Sequence, residues 1–273
     1  MNTEIYYFSG SGNSFAVAKD VAVKLDAVLT PIMSVIHQES INTEANIIGV
    51  VFPIYDFKPP LFMESFISKI DNIQSKYLFA ICTYGITPSK SLKHLEKTIN
   101  SYGGHLSSGF AVKMPQNGLG SGKVTKIQQE MMFNKWKNRV DEICDGIKNM
   151  EKKEIETSIL FFNMFKTQNM KKIPVMLTFF YQVLFKGIDS LAFTSNENCT
   201  GCGTCQKLCS QNNIEIVDNK PSWSDHCINC FACLNWCPNG AITPGNADLD
   251  IKNYHHPEVK ISDMIKENQK ESI

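Results

Sequence analysis

The sequence has no excess of charge of either sign and no apolar run long enough to cross a bilayer. Its 273 residues include 27 Lys+Arg and 27 Asp+Glu, so bulk charge gives no reason to expect nucleic acid as a partner. The most apolar run, residues 173–185, is shorter than the roughly 20 residues of a transmembrane helix. The first ten residues also lack the basic and apolar regions of a signal peptide. We therefore expect a cytoplasmic protein without a transmembrane segment, although the lysine-flanked apolar segment 159–185 leaves peripheral membrane contact open.

Cysteine is scarce over most of the chain. Only Cys82 and Cys144 lie among the first 198 residues, and we expect both to be small apolar core residues. The other eight of the ten cysteines fall between residues 199 and 237. In a chain with no export signal, such crowding indicates metal binding rather than disulfides, and it marks a second domain.

The first 150 residues alternate between strand and helix patterns. Short apolar or β-branched runs predict five strands, at residues 4–8, 27–33, 46–55, 77–82 and 105–115. Helical spacing predicts helices at residues 13–25, 60–70, 88–100 and 122–150. Pro31 indicates that the second strand lies at a sheet edge. Five strands joined by helices predict an α/β fold with a parallel, doubly wound sheet.

Two of these helices have predicted buried faces. In the helix at 60–70, we expect the buried face to consist of Leu61, Phe62, Phe66, Ile67 and Ile70. In the helix at 122–150, the residues at helical spacing are Val124, Ile127, Met131, Val140, Ile143 and Ile147. We expect these side chains to pack on the sheet.

A serine-rich loop without a lysine follows the first strand. This serine loop consists of Ser9, Gly10, Ser11, Gly12, Asn13 and Ser14. A nucleoside triphosphate loop would end in Gly-Lys-Ser/Thr, but the first lysine is Lys19. A dinucleotide loop would have a small residue in place of Phe15 and an acidic residue near 30–33, where there is none. Hydroxyls, an amide and glycine backbone at a helix N-terminus instead suit a terminal monophosphate, the alternative being a helix cap without a ligand.

The serine loop resembles the phosphate loop of the flavodoxin family, which has the form Ser/Thr-x-Ser/Thr-Gly-Asn-Ser/Thr directly after the first strand. The resemblance implies FMN as a cofactor, with its ring beyond the carboxyl ends of the third and fourth strands. The ring-contacting residues would be Pro53, Ile54, Tyr55, Thr83, Tyr84 and Gly85. Tyr55 and Tyr84 are candidates to lie against the flavin faces. Asp56 and Tyr84 are candidate proton donors, whereas no tryptophan lies in these loops.

The clustered cysteines form two similar runs. The runs are Cys199-x2-Cys202-x2-Cys205-x3-Cys209 and Cys227-x2-Cys230-x2-Cys233-x3-Cys237-Pro238. Zinc sites usually take two separated pairs of ligands, whereas a close triplet with a remote fourth cysteine is typical of a 4Fe–4S cluster. Between the runs, residues 214–223 predict a hairpin that turns at Asp218 and Asn219.

The cysteine pattern resembles bacterial two-cluster ferredoxins, in which the fourth cysteine of each run ligates the other cluster. The resemblance implies that cluster one is held by Cys199, Cys202, Cys205 and Cys237. It implies that cluster two is held by Cys227, Cys230, Cys233 and Cys209. Ser210 replaces a common proline, and the expected apolar covers are Ile214, Ile228, Ala241 and Ile242.

Together the two patterns resemble flavodoxin–ferredoxin fusion proteins, which are common in anaerobic bacteria and archaea. The resemblance implies an FMN domain at 1–150, a helical interdomain segment at 151–190, a ferredoxin domain at 191–245 and a polar tail at 246–273. In the tail, adjacent His255 and His256 predict a loop without a metal role.

The implied function is electron transfer between ferredoxin-type donors and a partner enzyme. The alternative is an FMN-dependent reductase that reduces a small organic substrate with electrons from its clusters, so enzyme status stays open. The lack of a nicotinamide site disfavours direct NAD(P)H oxidation. A pocket lined by Tyr55, Phe57 and Tyr84 would favour the reductase, and an open flavin edge would favour the carrier. A non-redox module with zinc and nucleotide sites would require both motifs to be misread.

Overall fold

The structure, a computed structural model, describes residues 2–116, 124–158, 192–245 and 253–267. Its amino-terminal part alternates strands and helices. In chain order these are β1 (Thr3–Tyr7), α1 (Asn13–Leu25), β2 (Val28–Pro31), α2 (Ile32–Val35), β3 (Ile47–Pro53), α3 (Met63–Ile67), a 3₁₀ helix (Ile73–Ser75), β4 (Tyr77–Tyr84), α4 (Ser91–Ser101), β5 (Leu106–Lys113) and α5 (Lys126–Lys148).

The first five strands form one parallel sheet in the order β2–β1–β3–β4–β5. This is the flavodoxin-like, doubly wound order, and it confirms the predicted fold class. The proline-containing strand β2 lies at the edge as predicted, but Ile32 and Met33 already belong to α2. The strand order reverses between β1 and β3, so their carboxyl ends open the crevice in which such sheets bind ligands.

Apolar layers cover both faces of the sheet. Because side chains alternate along a strand, β1 sends Ile5 and Tyr7 to one face and Tyr6 to the other, where Phe8, directly after the strand, also packs. Helices α1 and α5 pack on the first face, and α3 and α4 pack on the second. Cys82 and Cys144 are buried, as expected for small core residues.

Three apolar side chains that were predicted to be buried are exposed instead. Leu61 is 82% exposed, because α3 begins only at Met63 and the chain turns before it. Ile127 and Met131, at the start of α5, are 71% and 66% exposed. A helix of 23 residues is about 34 Å long. The eight residues of β5 extend only about 26 Å, so the first turns of α5 extend beyond the sheet.

The carboxy-terminal part contains short elements. They are β6 (Phe193–Ser195), a helix (Thr204–Leu208), β7 (Ile214–Val217), β8 (Lys220–Trp223), a helix (Ala232–Asn235), β9 (Ile242–Pro244) and a helix (Ile261–Glu267). β6 pairs with β9, and β7 pairs with β8, both antiparallel. The predicted hairpin is confirmed, since Asp218 and Asn219 form its two-residue turn with φ values of 48° and 60°.

The apolar segment 159–185 and most of the segment predicted at 151–190 lie outside the described residues. Within the described ranges, no helix combines the length and the apolar character needed to span a membrane.

Candidate cofactor sites

The serine loop curls tightly before α1. Gly12 has a φ of +88°, a left-handed conformation that favours glycine, and its N–H donates to Ser9 Oγ at 3.0 Å. Ser9 and Ser11 are buried. The first N–H groups of a helix have no partner within the helix, so a curled loop at this position can hold an anion without a cationic side chain.

Two side chains of the serine loop hold neighbouring loops in place. Ser14 Oγ lies 2.8 Å from Thr83 Oγ1 at the end of β4. The sequence predicts that the Asn13 amide donates a hydrogen bond to a phosphate. In the structure, Asn13 Nδ2 donates to the carbonyl of Pro115 at 2.9 Å. Asn13 therefore fixes the shape of the loop through contacts within the protein.

A cleft extends from the serine loop along the carboxyl ends of β3, β4 and β5. Its lining consists of residues 9–11, 13–14, 53–57, 83–87, 114–116, 229 and 231. The residues predicted to contact FMN all line this cleft, with the exception of Gly12. The cleft thus combines hydroxyls and helix N–H groups at one end with aromatic side chains at the other, a donor set that fits FMN.

The loop after β3 contains a tight turn within this cleft. Tyr55 N–H donates to the Lys58 carbonyl at 3.0 Å, and Lys58 N–H donates back at 2.9 Å. Asp56 and Phe57 between them have φ values of +47° and +64°, which is strained backbone for a phenylalanine. Burial raises the pKa of Tyr84. Partial desolvation also raises the pKa of Asp56, although this residue is exposed.

The eight clustered cysteines surround two small cavities. One is lined by Cys199, Cys202, Cys205 and Cys237. The other is lined by Cys209, Cys227, Cys230 and Cys233. In the part of the chain that the structure describes, no three Cys, His or acidic side chains converge as ligands of one metal ion. Four thiols around a cavity, rather than around a point, suit a cubane cluster.

Backbone and apolar groups complete the two cavities in similar ways. Asn213 N–H donates to Cys209 Sγ at 3.2 Å, and Ala241 N–H donates to Cys237 Sγ at 3.3 Å. Gly201 has a φ of +66°, and a Cβ there would lie 2.7 Å from the Asn219 carbonyl oxygen. Apolar lining comes from Ile214 and Ile228 in one cavity and from Ala241 and Ile242 in the other.

Burial raises the pKa of thiols in both cavities. It raises the pKa of Cys205 to about 11 and that of Cys233 well above its ordinary value. Hydrogen bonding to Thr204 instead lowers the pKa of the exposed Cys202. A thiolate at the buried positions requires a nearby positive charge, which a bound metal supplies. The residues around both cavities therefore fit 4Fe–4S clusters.

The second cysteine cavity adjoins the cleft. Phe231 lines both, and Asn229 lines the cleft. A Cβ on Gly10 would overlap the carbonyl oxygen of Cys230, so the serine loop and the cysteine loop are in direct contact. The indole N–H of Trp236 donates to the Gly10 carbonyl at 3.0 Å.

A segment of the tail also contacts the serine loop, which the sequence interpretation missed. Tyr254 Oη donates to Asn13 Oδ1 at 2.7 Å, and His256 N–H donates to the Ser11 carbonyl at 2.9 Å. His255 stacks on Trp236 with ring centroids 4.3 Å apart. Tyr254, an aromatic residue within a polar tail, was the available sign that the tail packs on the protein. Residue spacing does not reveal which loop the tail contacts.

Comparison with known proteins found one family model that matches part of the chain and several similar solved structures. Residues 198–242 match the family model of a 4Fe–4S dicluster domain. No curated protein matches the chain. A flavodoxin from the domain Archaea is 17% identical, with a TM-score of 0.35 over 52% of this chain and 99% of that chain. A flavodoxin from Streptococcus pneumonia TIGR4 is 14% identical, with a TM-score of 0.32 over 52% of this chain and 99% of that chain.

The rubredoxin oxygen:oxidoreductase from the anaerobe Desulfovibrio gigas is also similar, at 14% identity and a TM-score of 0.36. That similarity covers 55% of this chain and 36% of the Desulfovibrio protein. The flavodoxin-like fold is established by the strand order itself. The chain therefore joins a flavodoxin-like α/β fold to a 4Fe–4S dicluster domain.

Proposed function

We propose that the protein transfers electrons between FMN in the cleft and two 4Fe–4S clusters. FMN would be held by the serine loop and by the loops that follow β3 and β4. Cluster one would be ligated by Cys199, Cys202, Cys205 and Cys237. Cluster two would be ligated by Cys209, Cys227, Cys230 and Cys233. Bound FMN would exchange two electrons, whereas each cluster would exchange one.

The contact between Gly10 and Cys230 is the observation that carries this proposal. Cys230, which would ligate cluster two, and the loop that would hold the FMN phosphate touch each other. Phe231 also lines both sites. Because electron transfer slows steeply with distance, this shared wall supports direct exchange between cluster two and FMN.

Cluster one offers the entry point for a redox partner. Cys202 is exposed, whereas Cys205 on the same cavity is buried. We infer that a ferredoxin-type donor or a partner enzyme exchanges electrons at this exposed side. Electrons would then pass through cluster two to FMN, or in the reverse direction.

Reduction of a small organic substrate is the second candidate function. Tyr55, Phe57 and Tyr84 all line the cleft, which is the arrangement expected for a reductase. FMN would itself occupy this cleft, and the dicluster region adds Asn229 and Phe231 to its wall. Because FMN would itself occupy the space between these aromatic side chains, they do not indicate a separate substrate pocket, and we favour the electron-transfer function.

Cofactor analysis of protein purified without oxygen tests the proposal. We expect one FMN and about eight iron atoms per chain. We expect reduced ferredoxin, but not NADPH, to bleach the flavin absorbance. Zinc in place of iron would contradict the cluster assignment, and iron without FMN would contradict the cleft assignment.

A further inference from the structure

Three buried donor groups surround the cavity of cluster two and have no acceptor in the described part of the protein. They are Ser210 Oγ, Gln211 Nε2 and Trp223 Nε1. All three residues line the cavity with the four cysteines, and Ser210 is only 9% exposed. Buried donors are almost always paired, so three unpaired donors around one cavity indicate an acceptor that belongs in it.

The cavity of cluster one differs in this respect. Thr200 Oγ1 accepts from Asn239 Nδ2 at 3.1 Å, and Thr204 Oγ1 lies 3.4 Å from Cys202 Sγ. None of the buried donors left unpaired in the described ranges lines this cavity. The asymmetry extends to the residue after each remote cysteine, which is Ser210 after Cys209 but Pro238 after Cys237.

We propose that Ser210, Gln211 and Trp223 donate hydrogen bonds to the sulfur atoms of cluster two and thereby raise its reduction potential. This inference rests on the proposed presence of cluster two. Thiolates and inorganic sulfides are the acceptors that a cluster would supply within the cavity.

The physical reason is the charge of the reduced state. One-electron reduction, supplied in the laboratory by dithionite, adds one negative charge to the cluster, while the donors keep their protons. Hydrogen bonds to the more negative state are stronger, so donors around the sulfurs raise the potential. The higher potential would keep the electron on cluster two, which adjoins the cleft.

A potentiometric titration of the anaerobic holoprotein, followed by electron paramagnetic resonance, tests the inference. The variants are Ser210→Ala and Trp223→Phe, and the control is Ser222→Ala on the exposed side of β8. We expect each variant to lower the midpoint potential of one cluster and leave the other cluster unchanged. The control should leave both potentials unchanged.

Iron analysis separates the two ways in which this inference can fail. A wild-type protein without iron would overturn the proposed function and this inference together. Full iron content with unchanged midpoint potentials in Ser210→Ala and Trp223→Phe would overturn this inference alone. If Trp223→Phe does not fold, Ser210→Ala and Gln211→Leu carry the same test.

Discussion

At the scale of single residues, Gly10 determines how closely the serine loop approaches the dicluster region. A Cβ at this position would overlap the Cys230 carbonyl oxygen and lie 2.8 Å from Tyr55 Oη. The sequence identified Gly10 as part of an anion-binding loop, because its spacing to Gly12 and Asn13 is local information. It did not reveal the contact with Cys230, because that residue lies 220 positions away in the chain.

Substitution of Gly10 by alanine should therefore disturb the contact between the serine loop and the loop that contains Cys230. Overpacking against backbone costs about 1–3 kcal/mol. We expect Gly10→Ala to weaken FMN binding about tenfold, measured by fluorescence titration, and to lower the thermal midpoint. Gly103→Ala is the control for FMN affinity, because a Cβ at Gly103 has no atom within 4 Å, although the φ of +80° at Gly103 strains an alanine there. Equal behaviour of the two variants would contradict a specific contact.

We expect the contact between the tail and the serine loop to depend on pH through His256. Burial lowers its pKa, and its Nδ1 accepts a hydrogen bond from Glu258 N–H at 3.3 Å, which requires the neutral ring. The unfolded chain binds a proton at this position below about pH 6.5, whereas the folded chain resists it. Stability associated with His256 is therefore present above that pH and is lost as the pH falls.

We expect His256→Asn, which keeps an acceptor but does not titrate, to lose less stability than the wild type between about pH 7 and about pH 5, which lie above and below the ordinary histidine value. Thermal unfolding at the two pH values measures the difference. His105→Asn, at an exposed position, should behave as the wild type. Parallel losses in all three proteins would show that His256 does not titrate with folding.

At the scale of elements, local patterns predicted the flavodoxin-like part well. Helix α1 begins at Asn13 and ends at Leu25 as predicted, because the glycine-rich loop before it and its apolar spacing are both local signals. The exposed start of α5 could not be predicted from spacing, since Ile127 and Met131 fit a helical face that extends beyond the sheet. The role of the tail depends on tertiary contact, which residue spacing does not encode.

The tail segment 253–259 should be needed for tight FMN binding, because Tyr254 holds Asn13 and His256 holds the Ser11 carbonyl. A hydrogen bond contributes about 1 kcal/mol, so we expect Tyr254→Phe to weaken FMN binding roughly fivefold. Titration of the apoprotein with FMN measures this change. The control is Tyr102→Phe, which alters an exposed tyrosine. Unchanged affinity in Tyr254→Phe would show that the tail does not support the loop.

At the scale of the whole molecule, the sequence predicts the kinds of cofactor site to expect but not how those sites are arranged. Each motif specifies its own site through short-range spacing. The shared wall between the sites depends on residues from both parts, namely Gly10, Cys230, Phe231 and Trp236. Under the proposed function, this arrangement would make cluster two the neighbour of FMN and would leave the exposed side of cluster one for a partner.

The most direct test of this account is the rate at which reduced ferredoxin bleaches the flavin in a variant that lacks cluster two. Cys227→Ala removes a proposed ligand that lies outside the lining of the cleft, and Cys144→Ala is the control for loss of a cysteine elsewhere. We predict that Cys227→Ala keeps its FMN but is reduced at least about tenfold more slowly, an increase of about 1.4 kcal/mol in the barrier. Reduction of the FMN-bound variant at the wild-type rate would contradict the account.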